Sequence, residues 1–161
     1  MGAQVAYAHQ HIHFYQGEKE SLSHSPAGRE KLALHLMFLV GRNFYHGFDP
    51  MNVADLATQL QLPAGVVKDF MEMFHDSRLV LPLLDGETFV LGRDPETISI
   101  KEIVDCVRNS GKKASAQINR TKEENEIDDL LLDVDQSIAE ALEGKNLQSL
   151  IISLSPPQSR R

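Results

Sequence analysis

The sequence predicts a mainly α-helical domain with one small β-hairpin, and three observations predict it. Apolar residues recur at helical spacing in successive segments from Leu32 onward. Capping and breaking residues (Ser25-Pro26, Gly47, Asn52, Pro63, Ser99 and Gly144) fall where those segments begin or end. Two short apolar runs, Leu79-Val80-Leu81 and Thr88-Phe89-Val90-Leu91, flank Asp85-Gly86, a strong turn signal.

Taken in order, Ala3 to Gln16 contains no breaker and reads as a helix, with Val5, Ala8 and Ile12 on one stripe. Gly17 to Ser25 is polar and reads as a loop. Ser25 before Pro26 then forms an N-cap with proline at the first helical position. Leu32, Leu36, Leu39 and Val40 follow at helical spacing as far as Gly47. Ala33, Met37 and Phe44 add apolar residues on further sides, so heavy burial is expected, with His35 a core histidine. Asn52 caps a short helix carrying Val53, Leu56, Ala57 and Leu60. Pro63 opens the next, with Val66, Val67, Phe70, Met73 and Phe74 facing inward. After the hairpin, whose Pro82 suits an edge or bulge, Ser99 and Glu102 match a capping box ahead of Ile100, Ile103, Val104 and Val107.

Residues 27 to 109 thus read helix, helix, helix, hairpin, helix. That is the winged-helix order: three helices plus a two-stranded wing, with the helix-turn-helix around Leu62-Pro63. The predicted organisation is an N-terminal helix and loop over 1–24, the winged-helix domain over 25–109, a flexible linker over 110–125 and amphipathic C-terminal helices over 126–154. In the last of these, Ile127, Leu130, Leu131, Val134, Ile138 and Leu142 form an apolar stripe ended by Gly144. Asp128, Asp129, Asp133, Asp135 and Glu140 lie opposite. A short helix from Leu147 to Ile152 is capped by Asn146 and stops before Pro156-Pro157.

Composition narrows the functions. A 42% apolar content suits a packed fold, and no stretch reaches the length that spans a bilayer, so a soluble protein is expected, and the sparse cysteine usage fits a cytoplasmic one. The single cysteine, Cys106, excludes an internal disulfide and any all-cysteine metal or iron–sulfur site. A net charge of −7 disfavours nucleic acid, because phosphate contacts need a surplus of Lys and Arg.

Two stretches carry a family resemblance. Met51-Asn52-Val53-Ala54-Asp55-Leu56-Ala57 through Leu62-Pro63, then Asp85-Gly86 and Leu91-Gly92-Arg93-Asp94-Pro95-Glu96-Thr97-Ile98-Ser99-Ile100, resemble the cytosolic tail of the YihY/BrkB membrane proteins. Gly2-Ala3-Gln4-Val5-Ala6-Tyr7-Ala8 resembles the end of that family's last membrane helix. The exit from the wing is shared with the Rrf2-like winged-helix regulators. The first resemblance implies a fragment of a longer inner-membrane protein, on its cytoplasmic face, acting through protein contacts and without catalysis. The second implies a DNA-binding transcription regulator. The old label of the YihY/BrkB family, ribonuclease BN, implies tRNA processing, but no motif transfers that chemistry to these residues. Rrf2-like iron–sulfur regulators hold their cluster with several cysteines near the helix after the wing, and here only Cys106 stands there.

The candidate site residues follow from these readings. For DNA, the helix after Pro63 would enter the major groove, with Lys68, Arg78 and Arg93 as the cations of helix and wing. Asp69, Glu72, Asp76, Asp85, Glu87 and Asp94 outnumber them, so a protein partner is the expected occupant. His9 and His13, one helical turn apart, are the residues best spaced to share a metal ion. Phe14-Tyr15 after His11-Ile12-His13 breaks the motif of a zinc-dependent nuclease, so neither metal nor cofactor is expected. Asp129 and Asp133 read as a solvated helix face, and Cys106 as a buried, inert thiol. The stripe from Ile127 to Leu142 is the expected interface, toward its own domain or a second copy.

Overall fold

A computed structural model describes residues 25–110 and 122–155. The expected helix Ala3–Gln16, with His9 and His13, lies outside those residues, as does 111–121 of the expected linker.

Helix α1 (Pro26–His46) starts at Ser25, whose hydroxyl accepts from the Gly28 amide at 3.1 Å. It ends at Gly47, left-handed at φ 68°, a backbone region that glycine enters without steric cost. Leu32, Ala33, Leu36, Met37, Leu39 and Val40 are buried, which makes α1 the centre of the core. His35, expected inside, is exposed, because it lies one turn beyond Lys31 on the outward stripe. Phe44, also expected inside, is 50% exposed, at the rim of a cleft where Asn43 and Val40 face Phe89 and Val90 of the wing.

Helix α2 (Val53–Leu60) is capped by Asn52, whose side-chain oxygen accepts from the Asp55 amide at 2.8 Å. Gln61 turns the chain at φ 55°, and α3 (Ala64–Asp76) starts after Pro63. α3 buries Val67, Phe70, Met71 and Phe74. Val66 and Met73 are only partly covered, whereas Met71, not anticipated, is fully buried. α3 packs against α2, the wing and the following helix, which widens its apolar face beyond a single stripe.

Strands β1 (Val80–Pro82) and β2 (Phe89–Leu91) pair antiparallel, Leu81 opposite Val90. The turn between them closes with Gly86 at φ 71°, its amide donating to the Leu83 carbonyl at 2.9 Å. A short 3-10 turn (Pro95–Thr97) leads to α4 (Ile100–Asn109), where the Ser99 hydroxyl accepts from the Glu102 amide at 3.1 Å. The Glu102 carboxylate meets Arg93 instead of returning to the Ser99 amide, so half of the expected capping box forms.

Helix α5 (Lys122–Ala141) begins inside the stretch expected to be linker, before the anticipated boundary at residue 126. Apolar periodicity does not register that start, because residues 122–126 contain no apolar residue. Helix α6 (Leu147–Leu154) carries a complete capping box between Asn146 and Ser149. It is not an appendage. Leu147 and Ile151 are fully buried against α1, and the Leu147 amide donates to the Ile98 carbonyl at 2.8 Å. The core therefore extends past residue 109. Gly41 permits this approach: a Cβ there would sit 2.9 Å from Ile151 Cδ1. Among the described residues, no helix is long and apolar enough to cross a membrane.

Candidate nucleic-acid interface

With its apolar face buried, α3 presents Ala64, Gly65, Lys68, Asp69, Glu72 and Asp76 to solvent. Ala64 and Gly65 leave the first turn without bulk, and Lys68 follows one turn later. The second half of the face is acidic. Arg78 stands just beyond the helix, exposed and left-handed at φ 58°. Its strained backbone is held by the wing, for Gly92 donates to the Leu79 carbonyl at 2.9 Å, and a Cβ at Gly92 would lie 2.7 Å from the Arg78 carbonyl oxygen.

The wing joins this surface through backbone bonds. The Val53 amide at the start of α2 donates to the Glu87 carbonyl at 2.9 Å, and Asn52 bridges to Thr88. Asp85 rigidifies the tip by accepting from the Glu87 and Thr88 amides at 3.0 and 2.9 Å and from the Thr88 hydroxyl. The Thr88 hydroxyl, then the two amides, hold its carboxyl below the usual aspartate range.

Of the three cations expected at a DNA contact, Lys68 and Arg78 are exposed on α3 and its exit. Arg93 pairs with Glu102 on α4, which takes it from the free surface of the wing. One cation contact to α3 was not foreseen: Arg29 of α1 lies over the ring of the buried Phe70, 5.0 Å from its centroid. No local pattern announces a cation–π contact between residues so distant in sequence.

On the acidic side of the exposed α3 face, an open cleft of about 610 Å³ runs between α3 and α4, bordered by Asp69, Glu72, Asp76, Glu102 and Asp105 with Cys106. Cys106 is half-buried rather than buried as expected. Burial pushes its thiol above the ordinary value, while a hydrogen bond with the Ser77 hydroxyl at 3.1 Å opposes the shift. Among the described residues no group of three or more His, Cys, Asp or Glu is arranged to hold a metal ion.

The stripe on α5 is uncovered. Ile127, Leu130, Leu131 and Val134 are between 54% and 66% exposed, and only Ile138 and Leu142, near the C-terminal end, are partly buried. Arg108 of α4 ties this helix to the body, binding Glu30 of α1 at 2.6 Å and Asp135 of α5 at 3.8 Å. Its guanidinium is held above the ordinary arginine value, chiefly by the Glu30 hydrogen bond.

Three helices, a paired wing and a long helix beyond them match known structures. CymR (YrzC), the global cysteine regulator of B. subtilis, superposes with a TM-score of 0.57 at 16% identity, over 78% of this chain and 95% of that one. IscR of T. potens gives 0.58 at 16%, over 82% and 89%. CymR of Staphylococcus aureus gives 0.57 at 13%, over 79% and 98%. The fold is a winged helix, mainly helical with one two-stranded antiparallel sheet. No family model matches the sequence, and no curated protein matches it. In winged-helix terms, α2 and α3 are the helix-turn-helix and β1–β2 is the wing.

Proposed function

We propose that this chain is a dimeric, Rrf2-like winged-helix transcription regulator that reads duplex DNA with the first half of α3. The observation that carries this reading is the exposed α3 face beside a braced wing, in the fold shared with CymR and IscR. Arg29, Lys68 and Arg78 supply phosphate contacts, and Ala64 and Gly65 admit the base edges to close range. The bare stripe on α5 takes a second copy, which sets two reading helices on successive half-sites. Burying each of its large side chains contributes roughly 1.5–3 kcal/mol.

Mobility shift against a randomised duplex library, at low and moderate salt, tests it. Three cations per protomer give a dimer about six phosphate contacts, so the logarithm of affinity falls with that of salt at a slope no steeper than about −5. Absence of any salt-sensitive complex refutes DNA reading.

One set of observations favours a second reading, in which the domain binds protein, as a cytoplasmic accessory domain of a YihY/BrkB-like membrane protein would. Asp69, Glu72 and Asp76 occupy the outer face of α3, and Arg93 is spent on Glu102. The fold likeness supports the regulator over this alternative, and the shift assay separates them.

A further inference from the structure

The body covers α5 near its C-terminal end. Ile138 and Ala139 are partly buried, and past the helix the Lys145 carbonyl accepts from the Ile100 amide at 3.0 Å before Leu147 enters the core. Residues 126–137, which carry most of the apolar stripe, are all exposed. Arg108 of α4 reaches out to this stretch. Its Nε donates to Glu30 Oε1 at 2.6 Å, and its Nη1 lies 3.8 Å from Asp135 Oδ1. A guanidinium can serve two carboxylates at once, because its donors are spread around a rigid plane. The Glu30 end of the bridge is close to α3, since Arg29, the residue before it, lies over the Phe70 ring at 5.0 Å. One side chain thus joins the helix with the bare stripe to the turn of α1 that touches the reading helix.

We propose that Arg108 is a positioning residue: holding Glu30 and Asp135 together, it fixes the angle of α5 on the winged helix and thereby the half-site spacing that the dimer accepts. The inference rests on the DNA-reading dimer proposed above. A helix held near one end acts as a lever. At about 1.5 Å per residue Ile127 lies roughly 16 Å from Ile138, so a swing of about 12° carries it about 3.4 Å, the rise of one base pair. The apolar contacts at Ile138 and Ala139 are non-directional and resist such a swing weakly. The Arg108–Asp135 pair, one turn further along α5, has a distance to keep and so selects one angle. Because two copies meet along α5, an error in that angle enters twice, once from each protomer.

The test takes paired half-sites selected from a random library by the wild-type protein. They are rebuilt with the gap between them changed one base pair at a time, beside a duplex carrying a single half-site. Affinity for each is measured for the wild type, Asp135→Asn, Asp135→Glu and Arg108→Gln, with sedimentation reporting the oligomeric state. The Asp135 side chain is 55% exposed, so Asp135→Asn leaves the fold and the Arg108–Glu30 bond in place. An exposed ion pair is worth up to about fivefold in an equilibrium, and the dimer holds two. Asp135→Asn and Arg108→Gln should therefore each lower the preference for the selected gap over its neighbours by about five- to twentyfold. Affinity for the single half-site and the dimer itself should stay unchanged, and Asp135→Glu should keep the wild-type preference. A wild type that binds no duplex, or binds it as a monomer, overturns the DNA-reading dimer and this inference together. Variants with the wild-type gap preference overturn the positioning role alone. So does an equal loss on the single half-site, which would mark the bridge as a support of the fold.

Discussion

Asp85 shows how a residue marked in the sequence as a turn former gains a second task. Its carboxylate accepts three hydrogen bonds and is held below the usual aspartate range by Thr88 and the turn amides. A depressed folded pKa means that stability is present above the unfolded value, about 4, and lost as pH falls through the folded one. Acid titration followed at the Thr88 amide should therefore show the wing loosening below pH 4 and not at the ordinary aspartate value, and Asp85→Asn should remove that transition. Cys106 moves the opposite way. Burial raises its pKa, so at pH 7.5 iodoacetamide should modify the folded thiol several times more slowly than the thiol of the chain in denaturant. Equal rates would show that Cys106 is open to solvent. The turn residues were legible because Asp-Gly acts over a few neighbours. The Arg93–Glu102 and Arg29–Phe70 contacts were not, because each depends on where the fold sets two separate segments.

At the scale of elements, helix ends were the most readable feature: Ser25, Asn52, Ser99 and Asn146 each cap the helix that follows. The faces of those helices were less so. His35, Phe44 and Met71 went to unexpected sides, because a spacing rule gives one stripe whereas α1 and α3 pack against several neighbours. Two glycines test how elements are held together. Gly92→Ala brings a Cβ to 2.7 Å from the backbone carbonyl of Arg78, which cannot yield as a side chain would. A loss of about 1–3 kcal/mol in denaturant unfolding is expected. Gly65→Ala meets nothing within 4 Å, and in a helix it should instead raise stability by about 0.5–1 kcal/mol.

For the whole molecule, the sequence reading separated a winged helix over 25–109 from C-terminal helices, and the fold rejoins them. Periodicity placed α6 correctly, but nothing local reveals that Leu147 and Ile151 close the core over Gly41. The uncovered stripe of α5 was legible as a pattern, and its exposure gives it weight. In the dimer proposed above, Leu131→Asp should give a monomer in sedimentation that keeps its helical circular dichroism but melts lower, since the side chain is 58% exposed within one protomer and its burial is lost with the partner. A dimer that survives both Leu131→Asp and Val134→Asp would show that assembly uses another surface.

The seating of α6 has a consequence for dissection of the chain. A single peptide bond cut between residues 110 and 122 would leave the two pieces held by Leu147, Ile151 and the hydrogen bond from the Leu147 amide to Ile98, so they should co-elute as one particle until denaturant parts them. A gene stopped at residue 110 would by contrast yield a domain with its floor removed, sticky toward hydrophobic dyes and rescued by supplying the missing piece in trans.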